Sequence, residues 1–355
     1  MTIKPWGSRD RYYSEPEQWN PKKKPKTKDW DDEELFPPQP DAETVRKHWE
    51  SLLKAIDPNA EERVTRTFRT WNLIVRDQLR NETGFRLTHG EQQVNVPVRI
   101  VPGIPAPLMT PLWDAREEGV LLLHRNLIEK ATQGVGFVRM EFSLVTNFLH
   151  KKRAIPHLEP EFLLDIENVH GFLKTLDDEL KKIDLLSKIL KIEEDILGAY
   201  FFKKRQVQIY WLAIGIVALM LDVEIEALTV VVLAHELAHA YTHLGRDIDG
   251  RQWETETFAQ TDIHIVEGLA QYYTQSVCKK LAARFPSALE SFKTLLKQQS
   301  APYQCFQDWI EDRKADPGEF VRQCMIQTRT KPFTNYDAFP GKPQQEASVT
   351  GKQAK

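Results

Sequence analysis

Residues 226–244 read Glu226-Ala-Leu-Thr-Val-Val-Val-Leu-Ala-His235-Glu236-Leu-Ala-His239-Ala-Tyr-Thr-His243-Leu244. No Gly or Pro interrupts the stretch, and Leu237 and Ala238 are strong helix formers. One helix is therefore expected to run through it despite the β-prone Val230-Val231-Val232. At about 100° per residue, His235 and His239 fall on one face a turn apart, where both imidazoles can reach a single ion. Glu236 is rotated by about 100° from His235, beside that ion rather than on it, which is the place for a base acting on a water. From residue frequencies, His-Glu-x-x-His arises by accident in roughly one chain in a hundred of this length. Accidental copies belong to exposed helices and loops, whereas this one follows the apolar run Val230–Ala234 and is expected to be buried. Buried imidazoles and carboxylates need partners, so the alternative is a hydrogen-bonded core network without metal.

A catalytic tetrahedral site takes three protein ligands and keeps the fourth position for water. His243 lies eight residues beyond His235, about 12 Å along the helix, too far to share the ion. Glu267 is the better third ligand. It sits in Ile263-His264-Ile265-Val266-Glu267-Gly268-Leu269-Ala270-Gln271, where a carboxylate among apolar residues is costly unless it is paired with Arg or Lys or coordinates an ion. Zn²⁺ is the ion expected from these ligand types, one per chain.

His235-Glu-Leu-Ala-His239 together with Glu267-Gly-Leu-Ala-Gln271 resembles the gluzincins, zincin metalloproteases with a glutamate ligand. The resemblance covers roughly residues 195–285. It implies a predominantly helical α+β zincin-like core in which a short twisted sheet lies above the active-site helix and a second helix brings the Glu. It also implies an edge strand at Val207–Trp211 that holds an extended protein or peptide substrate. The metzincin pattern has a third His six residues after the second, and Gly245 stands there instead. Some gluzincins carry an Asp four residues after the ligand Glu, and this chain has Gln271, whose carbonyl could orient a ligand His more weakly.

The rest of the sequence is less informative. A net charge of −3 gives no bias toward nucleic acid. Three cysteines, Cys278, Cys305 and Cys324, with no close pair, argue against a disulfide framework and a Cys-ligated zinc. The N-terminus lacks a secretory pattern, and the apolar Trp211–Leu221 is too short to span a bilayer, so a soluble cytoplasmic protein without membrane contact is expected. Four segments are expected: a disordered, Pro-rich arm over 1–40, a mixed α/β region of unknown role over 41–165, the metallopeptidase-like domain over 166–330 and a largely disordered tail over 331–355.

Within these segments, Asp41 and Pro58 are expected to open two helices. Val94–Ile100 alternates as a strand, and the Pro-rich 102–111 reads as a loop. A helix over 117–131 and a strand over 135–142 follow, then a long helix from about Leu173 to Leu190 that Gly198 can end. Further helices are expected over 262–284, 287–299 and 317–328.

These readings point to a zinc endopeptidase acting on an intracellular protein, with Glu236 as general base. His264, one turn before Glu267, is the first choice for stabilising the oxyanion, ahead of His243, Tyr241, Tyr272 and Tyr273. Asp262, Gln271 and His243 are candidates for orienting the ligands. The competing readings are a zinc hydrolase of a small amide and a zincin-like binding or regulatory protein without peptidase activity.

Overall fold

The computed structural model describes residues 41–342 except 90–91, 118, 124, 152–159, 183–188, 190–195, 312–316 and 332. The expected arm over 1–40 and the end of the tail lie outside the described residues. In chain order the elements are α1 (Ala42–Ile56), α2 (Ala60–Thr83), β1 (Thr88–His89), β2 (Gln92–Gln93), β3 (Val98–Val101), α3 (Ala106–Asp114), α4 (Gly119–Leu123), α5 (Arg125–Lys151) and α6 (Pro160–Lys182). They continue with β4 (Gly198–Phe201), β5 (Gln206–Tyr210), α7 (Trp211–Leu221), α8 (Ile225–Leu244), α9 (Thr255–Gln260) and α10 (Ile263–Leu281). Last come α11 (Pro286–Leu296), α12 (Ala301–Gln304), α13 (Phe306–Glu311), α14 (Pro317–Thr330) and a 3₁₀ turn at Tyr336–Ala338. The fold is α+β and predominantly helical, as expected.

Helix α8 is apolar on all sides, and such a helix is stable in water only inside a protein. Every residue from Ala227 to Leu244 is buried. Helices α2, α7, α10 and α11 and the strands β4 and β5 pack around it. Its first turn is clamped from outside. Arg63 of α2 donates to both carboxylate oxygens of Glu226, at 2.7 and 2.5 Å, while Arg63 Nη1 reaches Asp57 at 2.5 Å. A carboxylate at a helix N-terminus is also favoured by the helix dipole. At the other end, Arg329 Nη2 donates to the carbonyl of Gly245, satisfying a group the helix leaves without an internal partner.

The sheet has the order β3-β5-β4, with β3 parallel and β4 antiparallel to β5. Ile209 thus sits between Ile100 on one side and Gly198 on the other. The strand over 207–211 that was expected at the sheet edge is its central strand, both of whose edges are occupied, so it cannot hold an extended substrate. Helices α1 and α2 and strand β3 belong to the same apolar core as α8, with Trp49 fully buried and its indole N–H on the Leu112 carbonyl at 2.8 Å. The boundary expected at residue 165 falls inside α6.

Several local expectations are corrected. Only Val98–Val101 of the 94–100 run is a strand, because Pro97 lacks a ladder donor; its carbonyl still accepts from Val207 N. The loop expected over 102–111 gives way to α3, which accommodates a proline in its first turn and is anchored by the buried Leu108 and Leu112. Residues 135–142 are helical within α5, where packing against α6 overrides the β-prone alternation. Gly198 begins β4 and ends no helix. Part of the tail expected to be disordered is ordered: the Phe333 carbonyl accepts from Asp262 N, and Tyr336 N donates to Asp262 Oδ2. Asp41 caps α1 by accepting from Thr44 N at 2.7 Å, as expected, and α10, α11 and α14 match the three helices read beyond the motif.

The central position of β5 has a testable consequence. Ile209→Pro is expected to unfold the chain, with loss of far-ultraviolet circular dichroism, because proline is tolerated at edges and not within a sheet. A folded Ile209→Pro protein would contradict that strand order.

Candidate metal centre

The site is made by two helices. Helix α8 carries His235 and His239 one turn apart, and α10 packs along it and carries Glu267. His235 Nε2 and His239 Nε2 are 3.2 Å apart, and each is 3.3 Å from Glu267 Oε2. Two donors each about 2.0–2.1 Å from a tetrahedral ion are necessarily about 3.3 Å from each other. The three donor atoms therefore form one face of a tetrahedron of the size a zinc-like ion requires. They are a buried group of potential ligands, with Glu267 at 0% exposure. A carboxylate this deep costs several kcal/mol unless neutralised, which a shared cation accomplishes.

Glu236 is buried and stands outside this triangle, against the start of β4. A Cβ built on Gly198 would lie 2.8 Å from Glu236 Cγ and 2.9 Å from both its Oε1 and Val232 Cγ1. Only glycine lets the strand approach so closely. Gly198 is a site residue that sequence reasoning missed, although a glycine inside an apolar β run is a signal of close backbone approach. Tyr303 was also missed. Its buried ring lies 5.9 Å from that of His235, and α12 delivers it from a short segment with no motif or periodicity to flag it.

The remaining expected site residues sort differently. Asp262 hydrogen-bonds to neither ligand histidine: it caps α10, accepting from His264 N at 2.9 Å and from His264 Nδ1 at 3.0 Å. Burial pushes its carboxyl up, but the His264 and Tyr336 hydrogen bonds outweigh this and hold it below the ordinary value. His264 is half-buried, stacked on Tyr336 at 5.0 Å, one turn before Glu267. Gln271 does not orient a ligand either. Its amide donates to Gln299 Oε1 at 3.1 Å, and its buried Oε1 has no hydrogen-bond partner among the described residues.

His243 stands apart from the His235–His239–Glu267 cluster, as its spacing predicts. Its Nδ1 meets Tyr200 Oη at 2.9 Å and its Nε2 meets Thr255 Oγ1 at 3.2 Å, with Phe258 stacked on the ring. Tyr241 is buried, which raises its pKa, and Tyr273 is fully buried. Among the described residues no helix is long and apolar enough to cross a membrane. Cys278, Cys305 and Cys324 are buried and form no disulfide. Compared with known protein families, curated proteins and solved structures, the chain matches none.

Two predictions follow from this geometry. Burial, and then the charges of Arg205 and Arg329, push the His243 pKa down to about 3. The unfolded chain takes up this proton near pH 6.5 and the folded chain only near 3. The stabilisation is therefore complete above about pH 6.5 and lost as pH falls toward 3, at no more than about 1.4 kcal/mol per pH unit. Urea unfolding of His243→Gln should show a shallower loss of stability over that window than wild type; equal slopes would contradict it. Separately, if the triangle takes up zinc, Gly198→Val should leave that uptake unchanged while displacing Glu236. Zinc uptake lost in that variant would show that Gly198 supports the triangle and not Glu236.

Proposed function

We propose that this chain is a zinc-dependent endopeptidase that hydrolyses a peptide bond in a protein substrate. The observation that carries the proposal is the buried triangle of His235 Nε2, His239 Nε2 and Glu267 Oε2, whose edges of 3.2–3.3 Å suit a tetrahedral ion, with a separate carboxylate, Glu236, on the same helix. Two imidazoles and a carboxylate are a donor set that Zn²⁺ favours. When bound, the ion would supply Lewis acidity, polarising a carbonyl and lowering the pKa of water from about 15.7 to about 7.

The protein's own groups do the rest. Glu236, wedged against Gly198, is held in one place to accept a proton from the attacking water and return it to the leaving amine. A donor to the developing oxyanion must stand beside the ligands. On its contacts Tyr303, against His235, is better placed than His264, which is held by Asp262 and covered by Tyr336. Burial excludes competing water and strengthens each of these interactions.

The same burial favours one second reading. With the His235 side chain 10% exposed and Glu267 fully covered, the ion could be structural in a zincin-like binding or regulatory protein. Hydrolysis separates the two. Zinc-loaded wild type, incubated with an unfolded protein such as casein, should yield fragments. Glu236→Gln should lower the rate by about 10²–10⁴-fold while retaining its zinc, and Tyr303→Phe should lower kcat more than it changes KM. A zinc-loaded wild type that cuts nothing, or a Glu236→Gln protein as active as wild type, would overturn the peptidase reading.

A further inference from the structure

Among the described residues, nine of the twelve large hydrophobic side chains that stand exposed belong to just two helices, α5 and α6. These helices pack on each other as a hairpin, and beyond that α5 meets α4 and α7. On α5, Phe137, Met140, Leu144 and Phe148 recur three and four residues apart and so line one face, 61%, 52%, 59% and 53% exposed. The half-buried Arg139, Phe142, Ser143 and Thr146 line the opposite face. Val138 and Val145 on α5, and Leu164, Val169 and Phe172 on α6, are exposed as well. A patch of this kind on a water-facing surface marks an interaction site.

We propose that this hairpin pairs two copies of the chain through their α5 stripes. Spacings of three and four are those of a helix–helix seam, in which each knob needs a hole on a facing helix. Three features select a second copy as the occupant. The first is area: at the exposed fractions above, each stripe side chain offers ~100 Å², so the four offer ~400 Å² per copy, and the five further exposed side chains of the hairpin raise the apolar surface it can bury to ~900 Å², against the ~800 Å² per partner of a stable interface. The second is charge. Residues 133–148 of α5 carry Arg139 and Glu141, which cancel, so like copies do not repel and no one-signed field selects a charged partner. The third is self-complementarity. Run antiparallel about a two-fold axis, the stripe sets Phe137 of one copy opposite Phe148 of the other and Met140 opposite Leu144. Two hairpins so joined make four helices, the smallest bundle that closes on its own core.

This inference is independent of the metal centre, and it is tested on the full chain by sedimentation velocity over about 1 to 100 µM. Wild type should be a dimer at the upper concentrations, and Phe137→Glu/Phe148→Glu should weaken the dimer at least ~100-fold while keeping the wild-type circular dichroism. Leu73→Glu, an equally exposed apolar site on α2, should leave the dimer unchanged. A wild type that is monomeric throughout would overturn the proposal, as would a double variant that still dimerises. So would a monomer that instead binds neutral phosphatidylcholine vesicles through the same residues.

Discussion

Glu267 lies at zero exposure, with the Nε2 atoms of His235 and His239 each 3.3 Å from its Oε2 and 3.2 Å from each other. A charge in that position is costly unless something positive answers it, and most of the architecture serves to hold this carboxylate and the two histidines together. Helix α8 has to be buried for the histidines to be buried, so it is apolar all round. Once it is apolar all round it needs neighbours on every side, and α2, α7, α10, α11 and the sheet supply them. Its ends are then fixed by groups that keep their charge near the surface or on carbonyls, Arg63 on Glu226 and Arg329 on Gly245.

The same constraint acts at shorter range. Helix α10 must approach closely enough to bring Glu267 Oε2 within 3.3 Å of both imidazole nitrogens, and its other side is correspondingly tight: a Cβ on Gly268 would come within 2.4 Å of Trp309 and 2.9 Å of Cys305 Sγ. Trp309 in turn donates to Tyr336 Oη at 2.8 Å, and Tyr336 covers His264. The C-terminal residues 333–342 therefore act as a strap over the start of α10, fastened by Asp262. Strand β4 closes on α8, with Gly198 against Glu236.

What the sequence made legible follows from what is local. His235, Glu236 and His239 are fixed relative to one another by helical geometry alone, so their relative placement could be read from spacing. Glu267 could be read because an acid in an apolar helix demands an explanation. The uninterrupted apolar helices α7 and α8 were legible for the same reason. Residues whose placement depends on tertiary packing were not. Tyr303 reaches His235 from a four-residue helix, and Gly198 reaches Glu236 from a strand whose sequence signals a close approach without saying to which residue. The position of β5 was misread because a single strand's sequence does not say how many partners it has. Asp262 and Gln271 sit at plausible spacings from Glu267, yet one serves as a helix cap and the other pairs with Gln299, contacts made by side chains the motif does not contain.

Whether His235, His239 and Glu267 are the ligands of one ion is decided by elemental analysis of the purified protein. Wild type should carry one zinc per chain, Glu267→Ala should lose it, and Glu236→Gln, which alters the base and spares the triangle, should keep it. A wild type that takes up no metal on reconstitution, or a Glu267→Ala protein that holds zinc as firmly as wild type, would contradict the account.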